Sequence, residues 1–172
     1  TGKPLAPPLV HQGAVKSVAF SPDGDKLATG ATNFVRLWDT AGNPLCDWIK
    51  HDAEVRHVAF NPDNAMLGTV CSDAFDPHMY PRRYGQVWDA QTGKPLTPQL
   101  QHSDGVLFCT FTPDSKRVIT TSEDGTVDVL MASRTYEHLA TNQMGEICMA
   151  TPAISDGLLL IRGKDHLFCI GK

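Results

Sequence analysis

Short apolar runs recur along this chain, each ending at a turn built on proline. The three clearest copies are VKSVAFSPDGDKLAT from Val15, VRHVAFNPDNAMLGT from Val55 and VLFCTFTPDSKRVIT from Val106, and they superimpose without a gap. Each follows a histidine: His11, His51 and His102. Two lead into a Trp-Asp pair, Trp38-Asp39 and Trp88-Asp89. The spacing is not helical, and the runs are short and β-prone, so the pattern predicts strands.

The third copy is the plainest. Val106–Phe111 predicts a strand, Thr112-Pro113-Asp114-Ser115 a turn and Arg117–Thr121 a second strand. Ser122-Glu123-Asp124-Gly125 reads as a tight turn, because Asp-Gly favours hairpin geometry. A third strand follows over Thr126–Met131 and a fourth near Tyr136–Ala140. The first copy predicts strands near Val15–Phe20, Lys26–Thr29, Val35–Trp38 and Pro44–Ile49. The second predicts them near Val55–Phe60, Met66–Val70, Gly85–Trp88 and Pro95–Leu100. Turns containing Pro-Asp pre-set the first turn angle, and Gly24 accepts angles closed to other residues.

Four short antiparallel strands per unit of about 40 residues describe one blade of a β-propeller. The chain is therefore predicted to be all-β, with four blade equivalents over 11–50, 51–101, 102–141 and 142–172 plus 1–10. The last unit is divergent. Glu146–Ala150, Leu158–Arg162 and His166–Ile170 read as its three strands, with Thr151–Gly157 a turn-rich link. Its missing fourth strand is matched by Lys3–Leu9, which precedes His11 as Lys94–Leu100 precedes His102. The N-terminal strand could complete the last blade in cis or in a second copy, which would remove exposed sheet edges.

These motifs resemble WD40 repeats, especially those of bacterial proteins with a TGKPL linker, here Thr1–Leu5 and Thr92–Leu96. The resemblance covers roughly residues 1–140. The last unit, ATPAISDGLLLIRGKDHLFCIG, is similar to quinoprotein-like propeller repeats. Both groups form propellers. The resemblance implies a hydrogen-bonded set in each blade: the leading His, a hydroxyl, an Asp and the Trp. In the third unit His102, Ser122 and Asp124 match, and Leu130 replaces Trp. In the first, His11 and Trp38 match, while Gly30 and Thr32 stand where the hydroxyl and Asp are expected. In the second, His51, Asp73 and Trp88 match, with Cys71 at the hydroxyl position. An incomplete set implies blades held more by apolar packing and turns.

The resemblance also implies a noncatalytic platform for protein partners, as a portion of a larger WD40 protein. The alternatives are a quinoprotein-like enzyme or a regulatory propeller of a larger signalling protein. WD40 propellers usually have more than four blades, which favours two copies forming a homodimeric eight-bladed ring.

Composition narrows this picture a little. The 172 residues are 41% hydrophobic and 20% charged, enough for a sizeable core. A net charge of -4 gives no basic face for nucleic acid, and no apolar span is long enough for a membrane helix. Five scattered cysteines without CxxC spacing read as buried apolar residues in a reducing, cytoplasmic setting. No cofactor or metal is expected, since the histidines recur at the repeat phase and show no ligand spacing. Asp23, Asp63 and Asp114 recur as turn-formers.

One feature is individual. From Val15 to Trp38 is 23 positions, but from Val55 to Trp88 is 33. The excess falls in the insertion Ala74–Tyr84. Phe75, His78, Met79, Tyr80, Arg82, Arg83 and Tyr84 form a candidate partner-binding loop. Arg and Tyr are favoured in binding hot spots. The competing reading packs these aromatics back onto the blade.

Overall fold

The computed structural model describes residues 2, 7–73, 82–133 and 137–171. It forms three four-stranded antiparallel sheets and one of three strands, each in simple meander order. The first sheet holds β1 (Val15–Phe20), β2 (Lys26–Ala31), β3 (Phe34–Asp39) and β4 (Ile49–Lys50). The second holds β5 (Val55–Phe60), β6 (Met66–Ser72), β7 (Arg83–Asp89) and β8 (Leu100–Gln101). The third holds β9 (Val106–Phe111), β10 (Arg117–Ser122), β11 (Thr126–Met131) and β12 (His138–Gln143). The fourth holds β13 (Ala153–Ser155), β14 (Leu158–Arg162) and β15 (Leu167–Ile170).

The first turn of each repeat is self-capped. Lys26 N donates to Ser21 Oγ at 2.9 Å, Met66 N to Asn61 Oδ1 at 2.8 Å and Arg117 N to Thr112 Oγ1 at 3.0 Å. The aspartate two residues later accepts from the same three side chains. Those hydrogen bonds hold Asp23 and Asp114 below the usual carboxylate range. Each turn ends on a positive φ, at Gly24 (79°), Asn64 (64°) and Ser115 (59°).

Residues opposite each other across a ladder share a face. On the second sheet Val58 pairs with Thr69, and Phe60 with Leu67, which pairs with Trp88. This front face packs on the first sheet. The back face, carrying Ala59, Gly68 and Val87, packs on the third. Glycines permit the closest approaches. A Cβ on Gly30 would stand 2.7 Å from Val55 Cγ1, and one on Gly68 would stand 3.0 Å from Phe111 Cε2. Three apolar clusters result, joining sheets one to two, two to three and three to four. Each fully buried Val or Leu in them contributes roughly 1.5–3 kcal/mol.

The structure corrects several predicted boundaries. The fourth unit's first strand is not Glu146–Ala150. Cys148 makes one bridge to Gly163, the ladder lapses, and pairing resumes at Ala153 opposite Leu160. Pro152 cannot donate to the ladder there. The stretch read as a link contains β13 and a two-residue hairpin turn, Asp156 (φ 50°) and Gly157 (φ 77°).

The third unit's outer strand starts at His138 rather than Tyr136, which lies outside the described residues, and runs to Gln143. Its side chains are mostly exposed, so no apolar pattern marks it. The outer strands at Pro44–Ile49 and Pro95–Leu100 reduce to bridges at Pro44 and Pro95 and two-residue strands further on. At the second of these gaps Thr97 Oγ1 accepts from Val87 N at 3.0 Å.

Of the predicted N-terminal strand, residues 3–6 lie outside the described residues and Pro7–Val10 forms no strand. Leu9 lies against Gly42 beside the first sheet. Among the described residues, β15 is an edge strand.

Candidate interaction surfaces

The histidines before the first and third repeats enter polar relays on the front faces of their sheets. Trp38 Nε1 donates to Thr29 Oγ1 at 2.9 Å, and Thr29 Oγ1 lies 2.8 Å from His11 Nε2. His11 Nδ1 contacts Leu9 O at 2.9 Å, so Nδ1 carries the proton and Nε2 accepts from the threonine. In the second sheet Trp88 Nε1 donates to Thr69 Oγ1 at 2.9 Å. Gly30 and Cys71 are therefore not where the hydroxyl is supplied. It comes from the threonine that ends each fifteen-residue repeat: Thr29, Thr69 and Thr120. That recurring threonine was the signal sequence reading passed over.

The set's aspartates, Asp73 and Asp124, sit elsewhere, as do those of the Trp-Asp pairs, Asp39 and Asp89. Asp39 caps the turn at Ala41 N and Asn43 N, Asp89 caps Gln91 N and Thr92 N, and Asp124 accepts from Thr126 N. Asp73 instead accepts from Arg82 N at 3.4 Å. None of these four carboxylates bonds to the leading histidine in the relays described.

His51 departs from its relatives. It is 2% exposed, stacks on Tyr84 and meets Trp88 edge-on with centroids 5.0 Å apart. Its Nδ1 lies 3.3 Å from Tyr84 Oη, and its Nε2 is buried without a partner. Burial pushes its pKa down to about 4, against the opposing charge of Asp52.

The third sheet replaces the indole with a carboxylate. Leu130 stands at the Trp position, and Asp128, two residues earlier, takes over the polar role. His102 Nδ1 lies 3.2 Å from Asp128 Oδ2, and His138 Nε2 lies 3.0 Å from Asp128 Oδ1. Thr141 Oγ1 donates to Asp128 Oδ1, and Thr120 Oγ1 lies 3.2 Å from His102 Nε2. Ser122 Oγ is a longer contact, 3.4 Å from His102 Nδ1. Burial works against ionisation of Asp128, but hydrogen bonds from His102, Thr141 and His138 outweigh it. Its carboxyl is held well below the usual carboxylate range. Asp128 was not singled out in the sequence; its one signal is a carboxylate inside an apolar strand.

The insertion is tied down at its end. Arg83 and Tyr84 belong to β7 rather than to a loop. Tyr84 is 1% exposed and accepts from Asp52 N at 3.0 Å, so it is a core residue unavailable to a partner. Arg83 is half-buried, donates to Ser103 O at 2.8 Å and pairs with Asp104 at 3.2 Å. Arg82 is exposed, and its Nη1 donates to Asp52 O at 2.8 Å. Phe75, His78, Met79 and Tyr80 lie outside the described residues.

Among the described residues, the two ends of the sheet array are uncovered. On the front face of the first sheet Val15, Val18 and Phe20 are 44%, 63% and 69% exposed. Their equivalents on the third sheet, Val106, Cys109 and Phe111, are 0%, 1% and 5% exposed. On the back face of the fourth sheet Leu167 is 68% exposed and Cys169 is exposed, whereas Leu37 and Val87, equivalent to Cys169, are buried. Among the described residues no group of three or more His, Cys, Asp or Glu is placed to hold a metal ion. No helix among them is long and apolar enough to cross a membrane.

Comparison with known proteins agrees with this architecture. The model of the WD domain, G-beta repeat, matches residues 2–39, 42–75 and 93–129. The chain belongs to the WD40 repeat family, whose members generally bind protein partners and are generally noncatalytic. No curated protein matches the sequence. The crystal structure of the computationally designed Ika4 protein is similar, with a TM-score of 0.74 and 21% identity. That match covers 99% of this chain and 100% of that one. The crystal structure of the RRP9 WD40 repeats has a TM-score of 0.75 and 18% identity, covering 94% of this chain. This chain spans about half of that one, 52%. At these identities the likeness shows the fold.

Proposed function

We propose that the chain is a noncatalytic protein-interaction module and that a second copy of itself is one of its partners. The observation that carries this reading is the pair of uncovered end faces. Every internal junction sets the back face of one sheet on the front face of the next. The array ends with one exposed face of each kind. Two copies placed head to tail meet both needs at once, closing two junctions and a ring of eight sheets, four from each copy. A further protein partner contacts the rim at Arg82, which stands exposed.

Light scattering across a range of concentrations tests the two-copy reading. The expected result is a rise from 18.7 kDa to twice that mass. A constant 18.7 kDa species at every concentration refutes it. For the rim, Arg82→Ala weakens capture of a protein partner without changing self-association; unchanged capture refutes the rim assignment.

A further inference from the structure

The back face of the fourth sheet departs from the internal back faces at the position of Arg162. Cys148 bridges Gly163 as Val15 pairs with Ala31, Val55 with Cys71 and Val106 with Ser122. The residue before each of these second-strand partners points at the next sheet. It is Gly30 in the first sheet, Val70 in the second and Thr121 in the third, all buried and uncharged. In the fourth sheet it is Arg162, which is exposed. Gly30 seats Val55 and Val58 of the following sheet. The corresponding seat on the fourth sheet is a groove of about 290 Å³ lined by Ile147, Met149, Arg162 and Lys164.

The opposing face offers that arginine no counter-charge. Cross-strand pairing places Val15, Val18, Phe20, Leu27, Thr29 and Trp38 on the front of the first sheet, and the charged side chains paired onto that face, Arg36 and Lys50, are both cations. Arg36 lies over Trp48, 4.3 Å from the ring centroid, and over Trp38 at 5.2 Å. Junction formation would strip water from Arg162 without supplying a carboxylate, an unfavourable exchange.

We infer that a second copy docks the front face of its first sheet on the back face of the fourth, and that Arg162 keeps this junction weak and reversible. The inference rests on the two-copy reading and adds the surface and the residue that controls it. The three internal junctions are the precedent, since the same faces meet in each. Their residues at the Arg162 position show what a tight junction carries there.

Cys169 is a native probe of the surface. It pairs with Leu160 and shares its face with Arg162 and Leu167. Cys71, Cys109 and Cys148 are buried and Cys46 is half-buried, so Cys169 is the fast-reacting thiol. The full chain and its Arg162→Val variant are compared by sedimentation over a concentration series. At each concentration iodoacetamide modification of Cys169 and Cys46 is followed by mass spectrometry. Arg162→Val is expected to associate at a concentration at least tenfold lower than the parent chain. Cys169 modification is expected to slow at least tenfold on association, with Cys46 unchanged. Phe20→Asp, at an exposed position that leaves the monomer intact, is expected to abolish both effects.

Association with Cys169 still fully reactive overturns the surface while leaving the two-copy reading standing. Arg162→Val associating no more tightly than the parent overturns the role of Arg162. A parent chain and variant that both remain monomeric overturn the two-copy reading itself.

Discussion

Acidification from pH 7 to pH 4 isolates the cost of one buried histidine. His51 has an ordinary pKa near 6.5 when unfolded and about 4 in the folded chain, because burial disfavours its charged form. Above pH 6.5 both states hold it neutral, and its full contribution to stability is present. As pH falls below 6.5 the unfolded chain takes up a proton that the folded chain refuses. Stability is lost at about 1.4 kcal/mol per pH unit until the folded pKa is passed. Across this window the loss totals roughly 3 kcal/mol, a large part of a domain's net stability. The structure explains the refusal. The ring is walled by Tyr84 and Trp88, and its Nε2 has no acceptor for a second proton. His51→Phe keeps both aromatic contacts and removes the titration. Urea unfolding followed by tryptophan fluorescence, at half-unit steps from pH 7.5 to 4, measures the difference. The variant is expected to show a flatter profile between pH 6.5 and 4, its residual slope including His57, whose pKa burial also lowers. Parallel losses in the two proteins over that window would refute the reasoning.

Three further outcomes follow from the same geometry. Trp88→Phe loses the hydrogen bond to Thr69 and leaves a small void, costing about 2–3 kcal/mol by chemical denaturation. Asp128→Asn destabilises the chain at pH 7. Because the folded Asp128 pKa is depressed, that advantage of the parent chain is present above about pH 4 and is lost as pH falls further, so the two stability curves converge in acid. Gly125→Ala forces a side chain onto a φ of 86° and against the backbone carbonyl of Glu146. It costs at least about 2 kcal/mol and loosens the fourth sheet, read out as faster hydrogen exchange in β13–β15 than in β1–β4.

Several elements were legible because their signals are local. The inner strands begin and end where the apolar runs do, and the Pro-Asp turns carry their own caps. The outer strands were harder to place. β12 is exposed along most of its length, so no core-facing residue selects its bounds. β4 and β8 are reduced by ladder gaps that depend on the neighbouring strand. β13 was misplaced because its hairpin turn, Asp156-Gly157, lies in a stretch rich in turn formers. The candidate loop was legible as an insertion, but Tyr84 within it could be recognised as core only once β7 had been extended past it.

The sequence by itself determined the repeat, the all-β class and the family, since these rest on spacing and turn chemistry that act within a few residues. Tertiary structure decided which residues pair at long range. It chose Thr29 and Thr69 over Gly30 and Cys71 as hydroxyl partners, and it brought Asp128 between His102 and His138. It also distinguished one copy of a repeated valine from another. Val15, Val55 and Val106 occupy the same place in the sequence pattern, and Val15 differs because, among the described residues, no sheet lies in front of it.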